Sequence, residues 1–141
     1  MANYIGFTRT NYFRVTDENR YKELFLGLYA EDDIHDFSYR DEKGILWHGF
    51  GSYDWIGYNP SVEDYDSEYS FDNFVFELMK ILPENEAFIK LEIGYEKLRV
   101  ISGMVVVATK HNYQVMNLEQ WGTLKARELL NNPYFETRCS Y

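Results

Sequence analysis

"AFIKLEIGYEKLRVISGMVVVATKHNYQVMNL", residues 87–118, is the stretch that decides the fold. It holds three β-rich runs, "AFIKLEIGY", "LRVISGMVVVAT" and "YQVMNL", separated by "EK" and "KHN". Breaks this short can join only neighbours running in opposite directions, because a parallel crossover needs a dozen or more residues. The stretch therefore predicts a three-stranded antiparallel meander. In its first run Phe88, Lys90 and Glu92 alternate with Ala87, Ile89, Leu91 and Ile93, which reads as one buried and one wetter face.

Downstream, "LEQWGTLKARELL" reads as a helix with Asn117 as N-cap and Gln120 three residues on, a capping-box pattern; Asn131, Asn132 and Pro133 stop it. Upstream, "FDNFVFELMKIL" reads as a helix capped by Ser70, with Phe71, Phe74, Val75, Leu78, Met79 and Leu82 on one face. Asp72 suits its first turn, and Pro83 lies just past its end. Nearer the N-terminus "NYFRV" alternates as a strand. It leads into "TDENRYKELFLGLYA", a helix opened by Thr16 or Asp17 with Tyr21, Leu24, Phe25, Leu28 and Tyr29 as its stripe and Glu18 and Lys22 as an i,i+4 pair. "IHDFSY" and "ILWHGFGSY" flank "RDEKG" and read as a hairpin. The order is β-α-β-β-α-β-β-β-α, with an acidic segment before the second helix. Helices do not alternate with single strands, so the expected class is α+β: a mainly antiparallel sheet covered by about three helices.

The 141 residues are expected to form one domain, 1–141, with an acidic aromatic segment at 52–70 and a short tail at 134–141. Forty-five per cent hydrophobic residues is a folding composition. The longest apolar run, "MVVVA" at 104–108, is strand-sized, and the N-terminus lacks a basic region followed by an apolar one. No membrane association is expected, and the location read from the sequence is cytoplasmic. A single cysteine, Cys139, excludes an internal disulfide and a Cys-based zinc site.

The net charge of −9 is uneven. Residues 44–79 hold seven acids and no Lys or Arg, whereas residues 80–141 hold seven acids and eight bases. Phosphate binding needs Lys and Arg, so direct nucleic-acid binding is disfavoured and a basic protein partner is expected. Within the acidic segment Tyr53, Trp55, Tyr58, Tyr65 and Tyr69 interleave with Asp54, Glu63, Asp64, Asp66 and Glu68. Aromatics supply contact area at small entropy cost and carboxylates pair with Arg or Lys, so these ten residues form the candidate partner-binding set. In an extended chain Asp64, Asp66 and Glu68 share one side, a row that could imitate a nucleic-acid backbone. The bland alternative is a loop kept soluble by its acids.

Other chemistry fares worse. Asp64, Asp66 and Glu68 have the spacing that opens an EF-hand loop, but Tyr69 and Val75 stand where Gly and Glu are needed. His35, Asp36 and His48 could meet across the hairpin at zinc, though structural histidines are the better reading; His111 reads as a turn residue. "GFGSYDWIG" is no phosphate loop, and no serine sits in a GxSxG turn. No catalytic residue, metal or cofactor is assigned.

The opening "YIGFTRTNYFRVTDENRYKELF", with "FGSY" and "ILPENEAFI" further on, resembles small uncharacterised acidic proteins of Gram-positive bacterial genomes and mobile elements. The resemblance implies an accessory bacterial protein, including one that opposes host defence. The leading expectation is a non-enzymatic protein–protein interaction domain. The alternatives are a small enzyme or ligand-binding domain and an acidic immunity protein. Phe25, Leu28, Phe74, Leu78, Val105, Val107 and Trp121 are expected in or beside one core, with Tyr53, Trp55, Tyr65 and Tyr69 at its rim.

Overall fold

A computed structural model describes residues 5–60 and 69–139. In chain order the elements are β1 (Ile5–Thr10), α1 (Glu18–Leu26), β2 (Leu28–Tyr29), β3 (His35–Asp36), β4 (Tyr39–Arg40), β5 (Leu46–Trp47) and β6 (Phe50–Ser52). They continue with β7 (Gly57–Tyr58), α2 (Phe71–Met79), β8 (Phe88–Glu96), β9 (Val100–Ala108), β10 (Tyr113–Asn117) and α3 (Leu118–Leu130). The class is α+β. The main sheet has six antiparallel strands in the order β10-β9-β8-β1-β6-β3, and the pairs β2–β7 and β4–β5 stand apart from it. No helix among the described residues is long and apolar enough to cross a membrane.

The meander at 87–118 forms as read, with Ile93 opposite Gly103 and Val106 opposite Val115. The hairpin forms too, turning on Asp41, whose carboxylate accepts from the Lys43 and Ile45 amides and from Trp47 Nε1. The first strand is corrected: it is "IGFTRT", not "NYFRV", because residues 5–10 pair along β8 and Thr8 and Arg9 pair with β6 on the other side. Phe13 instead makes one bridge to His48 and fills the core. Helix α1 is shorter than read. Asp17 caps it, accepting from the Arg20 amide at 3.0 Å, and it stops at Gly27. A Cβ at Gly27 would lie 2.6 Å from the Tyr58 ring and 2.9 Å from Asn59 O, so only glycine lets β7 come this close. Glu18 does not turn toward Lys22; its carboxylate bonds His48 Nε2 at 2.7 Å. Helix α2 follows its reading: Phe71, Phe74, Val75 and Leu78 are buried, and the Ser70 amide donates to Asn73 Oδ1 at 2.9 Å.

The core lies between α1, α2 and one face of the sheet, and it is built on aromatics. Phe13, Phe50, Phe74 and Phe88 are all fully buried, with edge-on ring pairs such as Phe13–Phe88 at 5.1 Å. The sheet meets this core with an unexpected face. Hydropathy alone would bury Leu91 and Ile93, yet they are 54% and 55% exposed, whereas Phe88 is buried and Lys90 is only 3% exposed. Register carries the same division into the neighbours. Thr8 and Thr10 in β1, Phe50 and Ser52 in β6, and Val106 and Ala108 in β9 turn inward. The inward threonines are bonded, Thr8 Oγ1 donating to Asp54 O at 2.8 Å and Thr10 Oγ1 accepting from the Phe50 amide at 3.0 Å, whereas the buried Ser52 Oγ has no partner among the described residues. Lys90 Nζ lies 3.2 Å from Glu92 Oε2 and 4.2 Å from the centre of the Phe71 ring.

Three core expectations are therefore corrected. Val105 and Val107 sit on the outward face, half-buried, one residue out of step with Val106 and Ala108. Trp121 is 45% exposed, because no residue of α3 is buried at all. Phe25 packs against the core's edge, and Leu28, Phe74 and Leu78 lie within it.

Candidate functional site

Five of the ten candidate residues, Glu63, Asp64, Tyr65, Asp66 and Glu68, lie outside the described residues, and so does the rejected calcium spacing. The other five divide three ways. Tyr58 is corrected: it is 4% exposed and belongs to the core, edge-on to Phe74 at 5.7 Å. Its pairing with Leu28 in the short β2–β7 ladder sets it between α1 and α2. Tyr53 is exposed on the outward sheet face, beside Phe7 at 6.0 Å and His35 at 5.5 Å. Asp54, Trp55 and Tyr69 stay together at the other side of the segment.

Trp55 is 53% exposed and stands between two clefts of about 290 Å³ each. The first is bounded by Tyr29, Ala30, Glu31, Asp54 and Trp55. Its acids, Glu31 and Asp54, come from loops that are 23 residues apart, and hydrogen bonds to backbone amides hold the loops together. Asp54 Oδ1 accepts from the Trp55 amide at 2.8 Å, and Asp54 Oδ2 accepts from the Glu31 amide at 3.3 Å. Asp32 adds a second tie, accepting from the Tyr53 amide at 3.4 Å. Hydrogen bonds from the Asp33 and Tyr53 amides, with His35 beside it, hold the Asp32 carboxyl below the usual carboxylate range. Tyr29 forms the facing wall, its ring packed so closely on Gly57 that a Cβ there would come within 2.5 Å of Cζ. The second cleft adds Tyr69, Phe71 and Asp72 to Trp55, with Lys90 and Glu92 at its floor. At its edge the Tyr113 hydroxyl donates to Asp72 Oδ1 at 2.5 Å, and partial burial with that carboxylate pushes the phenol pKa up.

Two acidic side chains with two aromatic walls make a receptacle for a cation. A Lys or Arg entering between Tyr29 and Trp55 would gain both ring faces and the carboxylates of Glu31 and Asp54. Glu31, Asp32 and Asp33 were missed in the sequence because they precede the acidic segment by a whole hairpin. Their one local signal is the run "YAEDD" at 29–33, an aromatic followed by acids.

The histidines do not converge. His35 lies 3.5 Å from Asp32 on the outward face, while His48 is buried on the helix side. Among the described residues no group of three or more His, Cys, Asp or Glu is placed to hold a metal. His48 is structural: Nε2 bonds Glu18, Nδ1 lies 3.3 Å from Ser38 Oγ, and the ring packs on Tyr21 at 4.0 Å. Ser38, His48 and Glu18 mimic a nucleophile, base and acid in sequence of contact. The adjacent amides are occupied, however: Ser38 N–H donates to Asp36 Oδ1 and Phe37 N–H to Gly49 O, leaving neither to hold an oxyanion. His111 is exposed next to the β9–β10 turn and bonds Glu84 at 2.9 Å.

Compared with protein-family models, curated proteins and solved structures, the chain matches none.

Proposed function

We propose that this protein is a non-enzymatic protein–protein interaction domain that takes a basic partner on its acidic, aromatic surface. The observation that carries the reading is the cleft between Tyr29 and Trp55, where the Asp54 carboxylate, fixed by the Trp55 and Glu31 amides, and the Glu31 side chain from a separate loop lie beside half-exposed rings. Rings that are already ordered contribute contact area without a large entropy cost on binding, and the acidic side chains select a cation. The absence of Lys and Arg from residues 44–79 extends the same negative field toward Tyr69. In its most specific form the domain is an accessory, counter-defence protein of a mobile element that occupies the basic nucleic-acid channel of a host protein. The resemblance of its opening residues and the row Asp64, Asp66, Glu68 support that form.

The test is titration with a Lys/Arg-rich peptide, followed by amide chemical shifts. Residues 29–31 and 53–57 should move, and Trp55→Ala and Asp54→Asn should each weaken binding about tenfold, with affinity falling as salt rises. Binding that ignores both substitutions, or shifts confined to other surfaces, would refute the cleft as the docking site.

A further inference from the structure

The outward face of the sheet is apolar and uncovered. Ile5 and Phe7 from β1, Leu91, Ile93 and Tyr95 from β8, and Ile101 from β9 lie on it side by side, placed by register, and all six are exposed. The helix that leaves this face is equally unpartnered. Leu118 opens α3 directly over Gly103, where a Cβ would overlap its side chain, and the helix then carries Trp121, Leu124 and Leu129 outward. With Leu118 these fall within roughly 140° of the helix circumference, at 100° per residue, an arc they share with Lys125 and Glu128, which pair with each other at 3.1 Å. The side of α3 that the chain does cover is the other one. There Arg127 Nε donates to Phe135 O at 2.9 Å and the Cys139 amide to Glu119 Oε1 at 3.0 Å as the C-terminal segment folds back.

We infer that the occupant of this face is a second copy of the chain, each copy laying the apolar band of α3 on the other's open sheet. Three observations single out that occupant. First, one chain carries both halves of the contact, a largely apolar helix band and an apolar sheet face, and beyond Leu118 over Gly103 its own band does not cover its own face. Second, a groove of about 450 Å³ lined by Phe7, Ile93, Tyr95, Ile101 and Leu118 lies at the root of α3, where a two-fold exchange would seat the partner's helix. Third, the area suffices. Ten exposed side chains (the six on the sheet with Leu118, Trp121, Leu124 and Leu129) offer on the order of 1,000 Å² per copy, where a standard interface needs about 800 Å² per partner. A monomer rarely leaves so large an apolar patch in water. Charge permits the pairing as well. The outward strand positions bear no acid, Arg9 opposite Leu91 and Lys97 in the groove are basic, and Lys125 and Glu128 within the α3 arc pair with each other at 3.1 Å, so two chains of net charge −9 meet without opposing unpaired acids.

The experiment is sedimentation equilibrium of the full chain at micromolar concentration, with two variants. The parent should sediment at twice its 16.9 kDa chain mass. Ile93→Lys, which spoils the sheet face, and Trp121→Glu, which spoils the helix band, should each dissociate at least a hundredfold more readily while keeping the parent's circular dichroism. An equimolar mixture of the two variants should regain a heterodimer, because one intact helix can still meet one intact face. A monomeric parent would overturn the inference. So would a dimer that survives Ile93→Lys, which would indicate helix-to-helix pairing, or variants that fail to complement, which would indicate face-to-face pairing. None of these results depends on the Tyr29–Trp55 cleft, so the basic-partner reading stands or falls separately.

Discussion

Along β1 and the middle of β8 the two faces of the six-stranded sheet invert their hydropathy, although Phe50, Phe88, Val106 and Ala108 also lie on the covered face. The covered face brings Thr8, Thr10, Ser52 and Lys90 into the interior, while the bare face displays Phe7, Leu91, Ile93, Tyr95 and Ile101. Burial here was decided by the partners available to each face. The covered face meets Phe13, Phe71, Phe74 and Leu78, whose area outweighs a few threonines and one lysine that find hydrogen bonds or a ring. A bare face rich in Leu and Ile then makes sense only as a surface to be covered from outside the chain.

The largest effect should come from the covered face. Phe74→Ala should destabilise the chain by about 3–5 kcal/mol in denaturant unfolding, whereas Leu91→Ala under dilute, monomeric conditions should cost below about 1 kcal/mol. Equal losses would abolish the distinction between the faces. The second probe is the ion pair of buried Lys90 with the partly buried Glu92. Glu92→Ala leaves Lys90 beside Phe71 without its carboxylate and should cost about 3 kcal/mol, while Lys90→Met, which fills the same space, should be within about 1 kcal/mol of the parent. Should Lys90→Met prove the more harmful, the charge itself has a role on the covered face.

Trp121→Ala sharpens the contrast from the other side. A core tryptophan would cost about 3–5 kcal/mol, but one that is 45% exposed should cost under about 1 kcal/mol in the monomer and should show its effect in association instead. The smallest expected effect is acid-dependent. Asp32 has a depressed folded-state pKa, so its contribution is present above the ordinary carboxylate range near pH 4 and is lost as pH falls through the folded value. Amide protection at residues 31–33 and 53–54, measured as the exchange rate relative to the intrinsic rate at each pH, should therefore fall on acidification, and Asp32→Asn should remove that dependence. Protection that holds or rises in acid would contradict the tie between the two loops.

Much of this architecture was legible in the residues. Short polar breaks declared the meander, Asn117 declared one helix start and Thr16 or Asp17 another (Asp17 being the cap), and the Phe71–Phe74–Leu78 stripe declared the buried side of α2. The side of each strand that turns inward was not legible, because alternation gives two faces and only tertiary packing chooses between them. In β9 "MVVVA" is apolar at every position, so nothing local distinguishes Val105 from Val106. Trp121 was misplaced for the same reason: an amphipathic band says that a helix is covered, not by which molecule. The acidic segment was legible as exposed aromatics at Tyr53, Trp55 and Tyr69, with Asp54 half-buried beside them. Tyr58 looked alike in sequence but was claimed by the Leu28 pairing, and Glu31 joined through a hydrogen bond that spans 23 residues.

The most direct measurement is an isotope-filtered NOE experiment on a mixture of methyl-labelled and unlabelled chains. We predict intermolecular cross-peaks from the Leu91 and Ile93 methyls of one copy to the Trp121 ring of the other, on the bare face of the sheet. Methyls that show only contacts within their own chain, in a sample concentrated enough to pair, would contradict the account.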